Sequence, residues 1–203
     1  MEKGKIIILS GPSGSGKTTL HQKLLQSPAF KGKLVKSLSA TTRLPRVGEK
    51  NGRDYLFLSK EDFLDKQKRG EFLEFMQVFE NYYGTPKDKV DAALKKGKSV
   101  LLCIDVKGAK VVSSKYPDAV KVFVKTPTLA DLKKRLSKRG TESSKDLELR
   151  FKFAKAELKE AKHYHHVVVN GSLAHAYRDL ARILNKEIFK KAVLAKSAAK
   201  KST

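Results

Sequence analysis

One short segment near the start of the chain constrains the fold more than any other feature. It lies between an apolar, β-branched run, Lys5–Ser10, and a stretch with leucines at helical spacing, Thr18–Gln26. Its eight residues match the pattern G-x-x-x-x-G-K-S/T in full, as Gly11, Pro12, Ser13, Gly14, Ser15, Gly16, Lys17 and Thr18. A strand, a glycine-rich loop and a helix in this order predict a phosphate-binding loop.

The residues of this loop suit the phosphates of ATP. Glycines allow backbone N–H groups to turn inward around phosphate oxygens, and the following helix adds the positive end of its dipole. Lys17 is expected to reach the β- and γ-phosphates, and the Thr18 hydroxyl to coordinate Mg²⁺. The alternative is a glycine- and serine-rich turn that binds nothing, which the complete motif argues against. The loop predicts nucleotide binding but does not specify a reaction.

Apolar runs and helical patterns alternate along most of the chain. Further buried strands are predicted at Ser99–Asp105, Val120–Thr126 and His166–Asn170. Helices are predicted at Lys87–Lys96, Gly108–Lys115, Thr128–Lys138, Ser144–His163 and Leu173–Lys191. This alternation predicts an α/β fold, a P-loop NTPase-type parallel sheet flanked by helices. We expect one domain over residues 1–203, whose core comprises 1–36, 87–126 and 164–190.

Two stretches and the C-terminal segment depart from this alternation. Residues 37–86 are rich in Gly, Arg, Tyr and Thr, and we interpret them as a small inserted lobe with short strands at Tyr55–Ser59 and Phe72–Phe79. Residues 127–163 are expected to form a helical lid, interrupted by the polar stretch Ser137–Lys145. Residues 190–203 carry five lysines and no acid, which predicts a helix end that frays into a basic tail.

The composition limits the location and partners of the chain. Forty-four basic and 21 acidic residues give a formal charge of +23, which suits either a nucleic-acid binder or a lysine-rich surface around a nucleotide site. The charge is spread along the chain without a nucleic-acid-binding motif, which favours the second interpretation. The apolar run Val100–Ile104 is too short for a membrane helix, and the N-terminus does not resemble a signal peptide. The single cysteine, Cys103, suits a reducing cytoplasm.

Two arginines in the predicted lobe indicate a second anion site. Arg43 and Arg46 flank Pro45, which biases its neighbour toward extended backbone. Two guanidinium forks can hold one phosphate by several charged hydrogen bonds. A loop with two arginines also suits an ordinary surface, but the phosphate loop and the nearby tyrosines favour a nucleotide phosphate. These tyrosines are Tyr55, Tyr82 and Tyr83.

Glu74 is the residue that discriminates between bases. It lies among large apolar neighbours in Glu71–Phe79, where an unpaired carboxylate is costly. Guanine presents two adjacent donors, N1–H and the amino group, that a carboxylate can accept together, whereas adenine presents an acceptor at N1. A side chain that points to solvent from an alternating strand is the open alternative. The pattern favours GMP over AMP, UMP or dTMP.

Asp105 and two lid arginines are further candidates. Asp105 follows an apolar run, so it is placed at the edge of the sheet where ligands bind, and it could contact metal-bound water or the second substrate, or cap the next helix. Arg135 and Arg139 share a helix face if the helix extends that far, either as part of a closing lid or as an ordinary basic face. A cluster of histidines near a strand start is explained without zinc, at His163, His165 and His166.

From Ile6 to about Ile188 the chain resembles the bacterial guanylate kinases. The segments that carry the resemblance are GPSGSGKTT, SLSATTRLPRVGE, NGRDYLFL, GEFLEF, NYYGTP, CIDVKG and KKRLSKRGTES. The resemblance implies transfer of the γ-phosphoryl group of ATP to GMP, and also to dGMP, with Mg²⁺. A related interaction module without activity would be expected to have a damaged phosphate loop or lid, and here both sequences are intact. The patterns specify no oligomeric state.

The resemblance also implies a role for each site residue. The GMP phosphate would be held by Ser39, Arg43, Arg46, Tyr55 and Tyr83, and guanine would be read by Glu74, Thr85 and Asp105. Catalysis would use Lys17, Arg135, Arg139 and Arg150, and Asn170 would contact the ATP adenine. The chain departs from the family at Cys103, where relatives often have Asp, and at Gly171, where an acid is expected.

Overall fold

The computed structural model describes residues 3–78, 80–137 and 144–199. Within them the strands are β1 (Ile6–Ser10), β2 (Leu34–Lys36), β3 (Ala40–Thr41), β4 (Leu56–Phe57), β5 (Phe72–Val78), β6 (Asn81–Pro86), β7 (Ser99–Cys103), β8 (Val120–Lys125) and β9 (His166–Val169). The α-helices are α1 (Lys17–Gln26), α2 (Lys60–Lys68), α3 (Lys87–Lys95), α4 (Val106–Lys115), α5 (Leu129–Ser137), α6 (Ser144–Leu158) and α7 (Leu173–Ala199). Short 3-10 helices cover Pro28–Phe30 and Lys159–His163.

The main sheet consists of five parallel strands in the order β2-β7-β1-β8-β9. The central strand β1 is buried on both faces, and its successive residues point to opposite sides of the sheet. Ile7 and Leu9 pack with α1 and α7, whereas Ile6 and Ile8 pack with α3 and α4. The predicted parallel sheet flanked by helices is therefore confirmed, and β1 directs its carboxyl end into the phosphate loop.

A second, smaller sheet forms within residues 37–86, with strand order β4-β3-β6-β5. Its core includes Phe63 of α2 and Phe72 of β5, whose rings stack with centroids 4.5 Å apart. Strand β6 and helix α2 were not predicted. Gly84 weakens the strand signal of β6, but a Cβ at this position would lie 3.0 Å from atoms of both phenylalanine rings. The glycine therefore allows the aromatic core to approach the sheet.

Several element boundaries differ from the sequence prediction, most by one or two residues. Strand β7 ends at Cys103, since Asp105 already caps α4. The predicted helix Ser144–His163 becomes a 3-10 helix after Leu158. The predicted end of the last helix near Lys191 is wrong, because α7 continues to Ala199 through residues of high helix propensity. Several predicted positions lie outside the described residues, namely Phe79, Lys138, most of the stretch Ser137–Lys145, and residues 200–203 of the tail.

Among the helices that the structure describes, none combines the length and apolar character needed to cross a membrane. The longest helix, α7, packs one face on the main sheet through Ala176, Leu180 and Leu184. Its spacing of apolar residues follows the helical period, so it is a surface helix with one buried stripe.

Candidate active site

The phosphate loop depends on glycines at strained backbone positions. Gly11, Gly14 and Gly16 all have positive φ angles, of 138°, 83° and 90°. A Cβ at Gly11 would collide with the Val124 carbonyl of the neighbouring strand, and a Cβ at Gly16 with the Asn170 side chain. Helix α1 begins directly after Gly16, so its first N–H groups border the loop.

The charged side chain of the loop, Lys17, is hydrogen-bonded to backbone carbonyls of the same loop. Lys17 Nζ donates hydrogen bonds to the carbonyl oxygens of Gly11, at 2.5 Å, and Pro12, at 2.9 Å. Thr18 follows as the second residue of α1, and its side chain is exposed. The structure therefore brings together an ammonium group, a hydroxyl group and the helix N-terminus, which is the set of groups that a triphosphate needs.

Asn170 and Arg135 connect the loop to two other elements. The buried Asn170 side chain donates from Nδ2 to the Ser15 carbonyl at 2.8 Å, and the Asn170 carbonyl accepts from Arg135 at 2.8 Å. Beside them lies a pocket of about 340 Å³, lined by Gly14, Gly16, Thr19, Arg135, Asn170 and Leu173. These contacts place the end of β9 and helix α5 at the loop.

Gly16→Ala is expected to destabilise the protein more than a matched glycine substitution. Gly32→Ala is the control, because Gly32 also has a positive φ, of 77°, but a Cβ there would meet nothing within 4 Å. Both variants acquire backbone strain, and the collision with Asn170 should cost Gly16→Ala about 2 kcal/mol more. Urea unfolding of the two variants measures this difference, and equal losses would argue against the contact between Gly16 and Asn170.

Helices α5 and α6 pack directly on the phosphate loop. Leu132 and Leu136 of α5 lie 3.3 Å from the position that a Gly14 Cβ would occupy, and they share a buried cluster with Ala154 of α6. The predicted lid arginine Arg150 lies half-buried on α6. Arg139 lies outside the described residues. The described part of the predicted lid therefore contacts the loop through apolar side chains and Arg135.

The three residues expected to read guanine lie together. Glu74 is 5% exposed, and its Oε1 accepts a hydrogen bond from the buried Thr85 hydroxyl at 2.6 Å. A Cβ at Gly108 would lie 2.7 Å from Glu74 Oε2 and 3.3 Å from Asp105 Oδ1, so the two carboxylates flank one glycine. Asp105 accepts from the Gly108 N–H at 2.7 Å, which is the capping role considered as its alternative. The solvent-facing alternative for Glu74 is wrong.

Burial changes the protonation of Glu74. Burial, with a smaller contribution from the Asp105 charge, raises its pKa to about 7, against the opposing hydrogen bond from Thr85. The pKa in the unfolded chain is near 4.5. Because the folded pKa is the higher, the neutral carboxyl stabilises the fold below pH 4.5, and this contribution is lost as the pH rises toward 7 and above.

Glu74→Gln is therefore expected to increase stability at alkaline pH. A neutral amide escapes the cost of the buried charge, so its free energy of unfolding should exceed that of the wild type by about 3 kcal/mol more at pH 8 than at pH 4. Urea unfolding across this range measures the difference. Glu71→Gln is the control, since Glu71 pairs with Lys66 and Arg69 at the surface. A difference that does not vary with pH would contradict the assigned pKa.

The predicted phosphate ligands of the lobe are partly assembled. Arg43 lies over the Tyr55 ring, 5.6 Å from its centroid, and the Tyr55 and Tyr83 rings are 6.3 Å apart. The Arg43 guanidinium donates to both carboxylate oxygens of Glu49, at 3.0 and 2.9 Å. Arg43, Tyr55 and Tyr83 therefore form one cationic and aromatic cluster, in which a single guanidinium nitrogen, Arg43 Nη2, is shared between the two oxygens of Glu49.

Two of the predicted phosphate ligands, Arg46 and Ser39, make only backbone hydrogen bonds to neighbouring residues within the described part of the lobe, and the nearby Glu49 was not predicted. The Arg46 side chain is exposed, while its backbone N–H donates to Glu49 at 2.8 Å. Ser39 is half-buried, and its carbonyl accepts from the Leu56 N–H at 2.9 Å. Sequence reasoning missed Glu49, because an acid six residues after Arg43 in a loop follows no periodicity that would mark it as a partner.

Two of the three histidines noted in the sequence, His165 and His166, have protein partners. His166 Nε2 lies 3.2 Å from Glu187 Oε1, and His165 Nδ1 accepts from the Lys121 N–H at 3.2 Å. Burial lowers the pKa of His165. In the part of the chain that the structure describes, no three His, Cys, Asp or Glu side chains converge on a common metal position.

A complete phosphate loop at the carboxyl edge of a parallel sheet, beside a lobe with its own basic cluster, defines a P-loop nucleotide-binding protein. Comparison with known proteins gives the family. The family model described as guanylate kinase matches residues 3–187. A guanylate kinase of Clostridium tetani (strain Massachusetts / E88) is 44% identical over 187 residues, 92% of this chain and 88% of the relative.

Other relatives agree with this result. A guanylate kinase of Wolbachia pipientis wMel is 40% identical over 93% of both chains. The crystal structure of guanylate kinase from Anaplasma phagocytophilum superposes with a TM-score of 0.75 at 33% identity, covering 92% of this chain and 87% of that chain. The chain belongs to the guanylate kinase family.

Proposed function

We propose that this chain transfers the γ-phosphoryl group of ATP to GMP, giving ADP and GDP, and that it accepts dGMP as well. The observation that carries the proposal is the buried pair of Glu74 and Thr85, which offers acceptors to guanine in a protein whose phosphate loop is complete. Family membership supports the same reaction. We place the enzyme in the cytoplasm, in purine nucleotide metabolism, with ATP and GMP as its small-molecule partners.

On the donor side, the phosphate loop binds ATP. The backbone N–H groups of residues 11–18 surround the phosphates, and Lys17 exchanges its carbonyl partners for phosphate oxygens. Asn170 and Arg135 border the pocket of about 340 Å³, which we assign to the adenosine part of ATP. The exposed Thr18 hydroxyl is an oxygen donor of the kind that Mg²⁺ prefers, and bound Mg²⁺ would neutralise charge on the β- and γ-phosphates.

On the acceptor side, the lobe formed by residues 37–86 binds GMP. The Arg43 fork, with Tyr55, Tyr83, Ser39 and Arg46, is assigned to the GMP phosphate. Glu74, Thr85 and Asp105 are assigned to guanine, whose N1–H and amino group donate to the carboxylate.

Transfer then needs alignment and charge neutralisation. A GMP phosphate oxygen forms a bond to the γ-phosphorus of ATP, while the bond from the γ-phosphorus to the β,γ-bridging oxygen breaks and ADP leaves with the electron pair. Arg135, Arg139 and Arg150 of the lid, residues 127–163, would stabilise the charge on the transferring group. Closure of this lid would exclude water that would otherwise hydrolyse ATP.

A panel of acceptors tests the proposal. Purified protein with Mg·ATP is assayed with GMP, dGMP, AMP, UMP and dTMP by coupled ADP release. The value of kcat/KM for GMP is expected to exceed that for AMP by about 10⁴, since a site built for a donor edge leaves its carboxylate unpaired with adenine. Higher turnover with AMP, UMP or dTMP would overturn the acceptor assignment.

A further inference from the structure

A carboxylate is missing where P-loop proteins usually place one. In these proteins an acid at the end of a strand beside the loop helps to hold the Mg²⁺ of the nucleotide. Strand β7 is the neighbour of β1, and its last residue, Cys103, pairs in register with Leu9, two residues before Gly11. Burial raises the pKa of the Cys103 thiol. The strand-end position therefore presents a neutral sulfur rather than a charged oxygen.

Asp105, the next acid along the chain, has other contacts. Its Oδ1 caps α4 by accepting from the Gly108 N–H, and the same oxygen lies on the side of Gly108 that Glu74 approaches. Asp105 is thus directed toward the guanine-reading pair. A carboxylate for the phosphate loop that is not engaged with the guanine-reading pair has to come from another element.

Helix α6 supplies a carboxylate near the phosphate loop, that of Glu157. Its buried residue Ala154 belongs to the cluster of Leu132 and Leu136 that packs on Gly14. Glu157 lies three residues after Ala154, so both project from the same face of the helix, toward the loop. Packing of α5 and α6 therefore positions this side chain beside the phosphate-binding residues.

The surroundings of Glu157 agree with that placement. The side chain is half-buried and lies close to the backbone N–H of Ser13, within electrostatic reach of Lys17, Asp105 and Lys107. Burial raises its pKa, and the Lys17 charge opposes this shift. Glu157 is three residues before Glu160, whose carboxylate instead pairs with Lys110 at 2.8 Å. Of these two acids on adjoining turns, Glu157 is the one directed at the loop.

We propose that Glu157 is the positioning carboxylate of the phosphate loop, supplying the charge and oxygen acceptors for the hydrated Mg²⁺ of Mg·ATP where Cys103 offers a thiol. The inference rests on the proposed function, because it requires Mg·ATP at this loop. It assigns to the lid helix α6 a role that P-loop proteins usually give to the main sheet. ATP binding with Mg²⁺ should therefore depend on Glu157 more than ATP binding without Mg²⁺.

The test is ATP affinity in the absence of GMP, measured by calorimetry with Mg²⁺ and with EDTA. Glu157→Gln is expected to weaken Mg·ATP binding by about 10- to 100-fold, the usual effect of removing an outer-shell ligand, and metal-free ATP binding by less than about threefold. Adding Cys103→Asp to Glu157→Gln should recover most of the loss, since it restores an acid beside β1. Glu160→Gln is the matched control, with wild-type affinity expected.

Each outcome decides between interpretations. If Glu157→Gln binds Mg·ATP as the wild type does, or binds ATP more tightly with and without Mg²⁺, the inference is overturned. Equal losses with Mg²⁺ and with EDTA, without rescue by Cys103→Asp, would indicate a structural role and overturn it too. If Glu157→Gln does not fold, Glu157→Asp replaces it, and rescue by Cys103→Asp is again required. A wild type that binds no ATP would contradict the proposed function itself.

Discussion

Glu74→Gln is expected to lower kcat/KM for GMP by about a hundredfold or more while ATP affinity stays within about twofold. The substitution replaces one acceptor oxygen with an amino group, which would face a guanine donor. A buried donor then loses its partner, and a hydrogen bond to a charged group is lost as well. Thr85 already donates to Oε1 at 2.6 Å, so the amide has little freedom to rotate into a better arrangement.

The measurement is steady-state kinetics with GMP varied at saturating Mg·ATP, together with calorimetry of ATP binding. Glu71→Gln carries the same substitution on the same segment, but at the surface, and should retain wild-type kinetics. Unchanged turnover with GMP in Glu74→Gln would remove the assignment of guanine to this carboxylate. The expected gain in stability at alkaline pH makes unfolding an unsuitable explanation for lost activity.

Arg43→Ala is expected to raise the KM for GMP by about a hundredfold and leave the affinity for ATP nearly unchanged. Arg43 Nη2 donates to both carboxylate oxygens of Glu49, so the guanidinium already holds an anionic group at this position. A GMP phosphate would take the place of Glu49 on this fork. Removal of one partner from a charged, hydrogen-bonded pair costs several kcal/mol.

Two variants give this measurement its control. Arg43→Lys keeps the charge but not the fork, and it should recover part of the affinity for GMP. Arg69→Ala removes an arginine of the same lobe that pairs with Glu71 at the surface, and GMP kinetics should not change. Equal losses of GMP and ATP binding in Arg43→Ala would refute the assignment of two separate nucleotide sites.

Much of the main sheet could be predicted because its signals are local. The strand Lys5–Ser10, the complete loop motif and the helix after it occur in one continuous segment, and short apolar runs marked β7, β8 and β9. Strand β1 is buried on both faces and β7 and β8 nearly so, which keeps their residues mostly apolar, whereas β9 at the sheet edge exposes Val167 and Val169. Glu74 could be proposed as a base-reading residue for the opposite reason, since a single charge within an apolar strand needs a partner.

Other features depend on contacts between distant segments, which no local pattern records. The hydrogen bond from Asn170 to Ser15 joins residues 155 positions apart, and the Arg43 cluster depends on how Tyr55 and Tyr83 fold together. Strand β6 contains Gly84 and Pro86, whose local preference is against a strand, yet pairing with β3 and β5 prevails. In the sequence, nothing distinguishes Glu157 from the other residues of a helix face. Its position beside the loop depends on the packing of α5 and α6 against Gly14.

The central claim is that one chain holds ATP and GMP at two sites and transfers phosphate between them. Its most direct test is to incubate the purified protein with equimolar Mg·ATP and GMP and to separate the nucleotides by anion-exchange chromatography. The account predicts that ADP and GDP appear in equal amounts without accumulation of inorganic phosphate. Consumption of ATP with release of inorganic phosphate and no GDP, or no consumption of ATP at all, would contradict it.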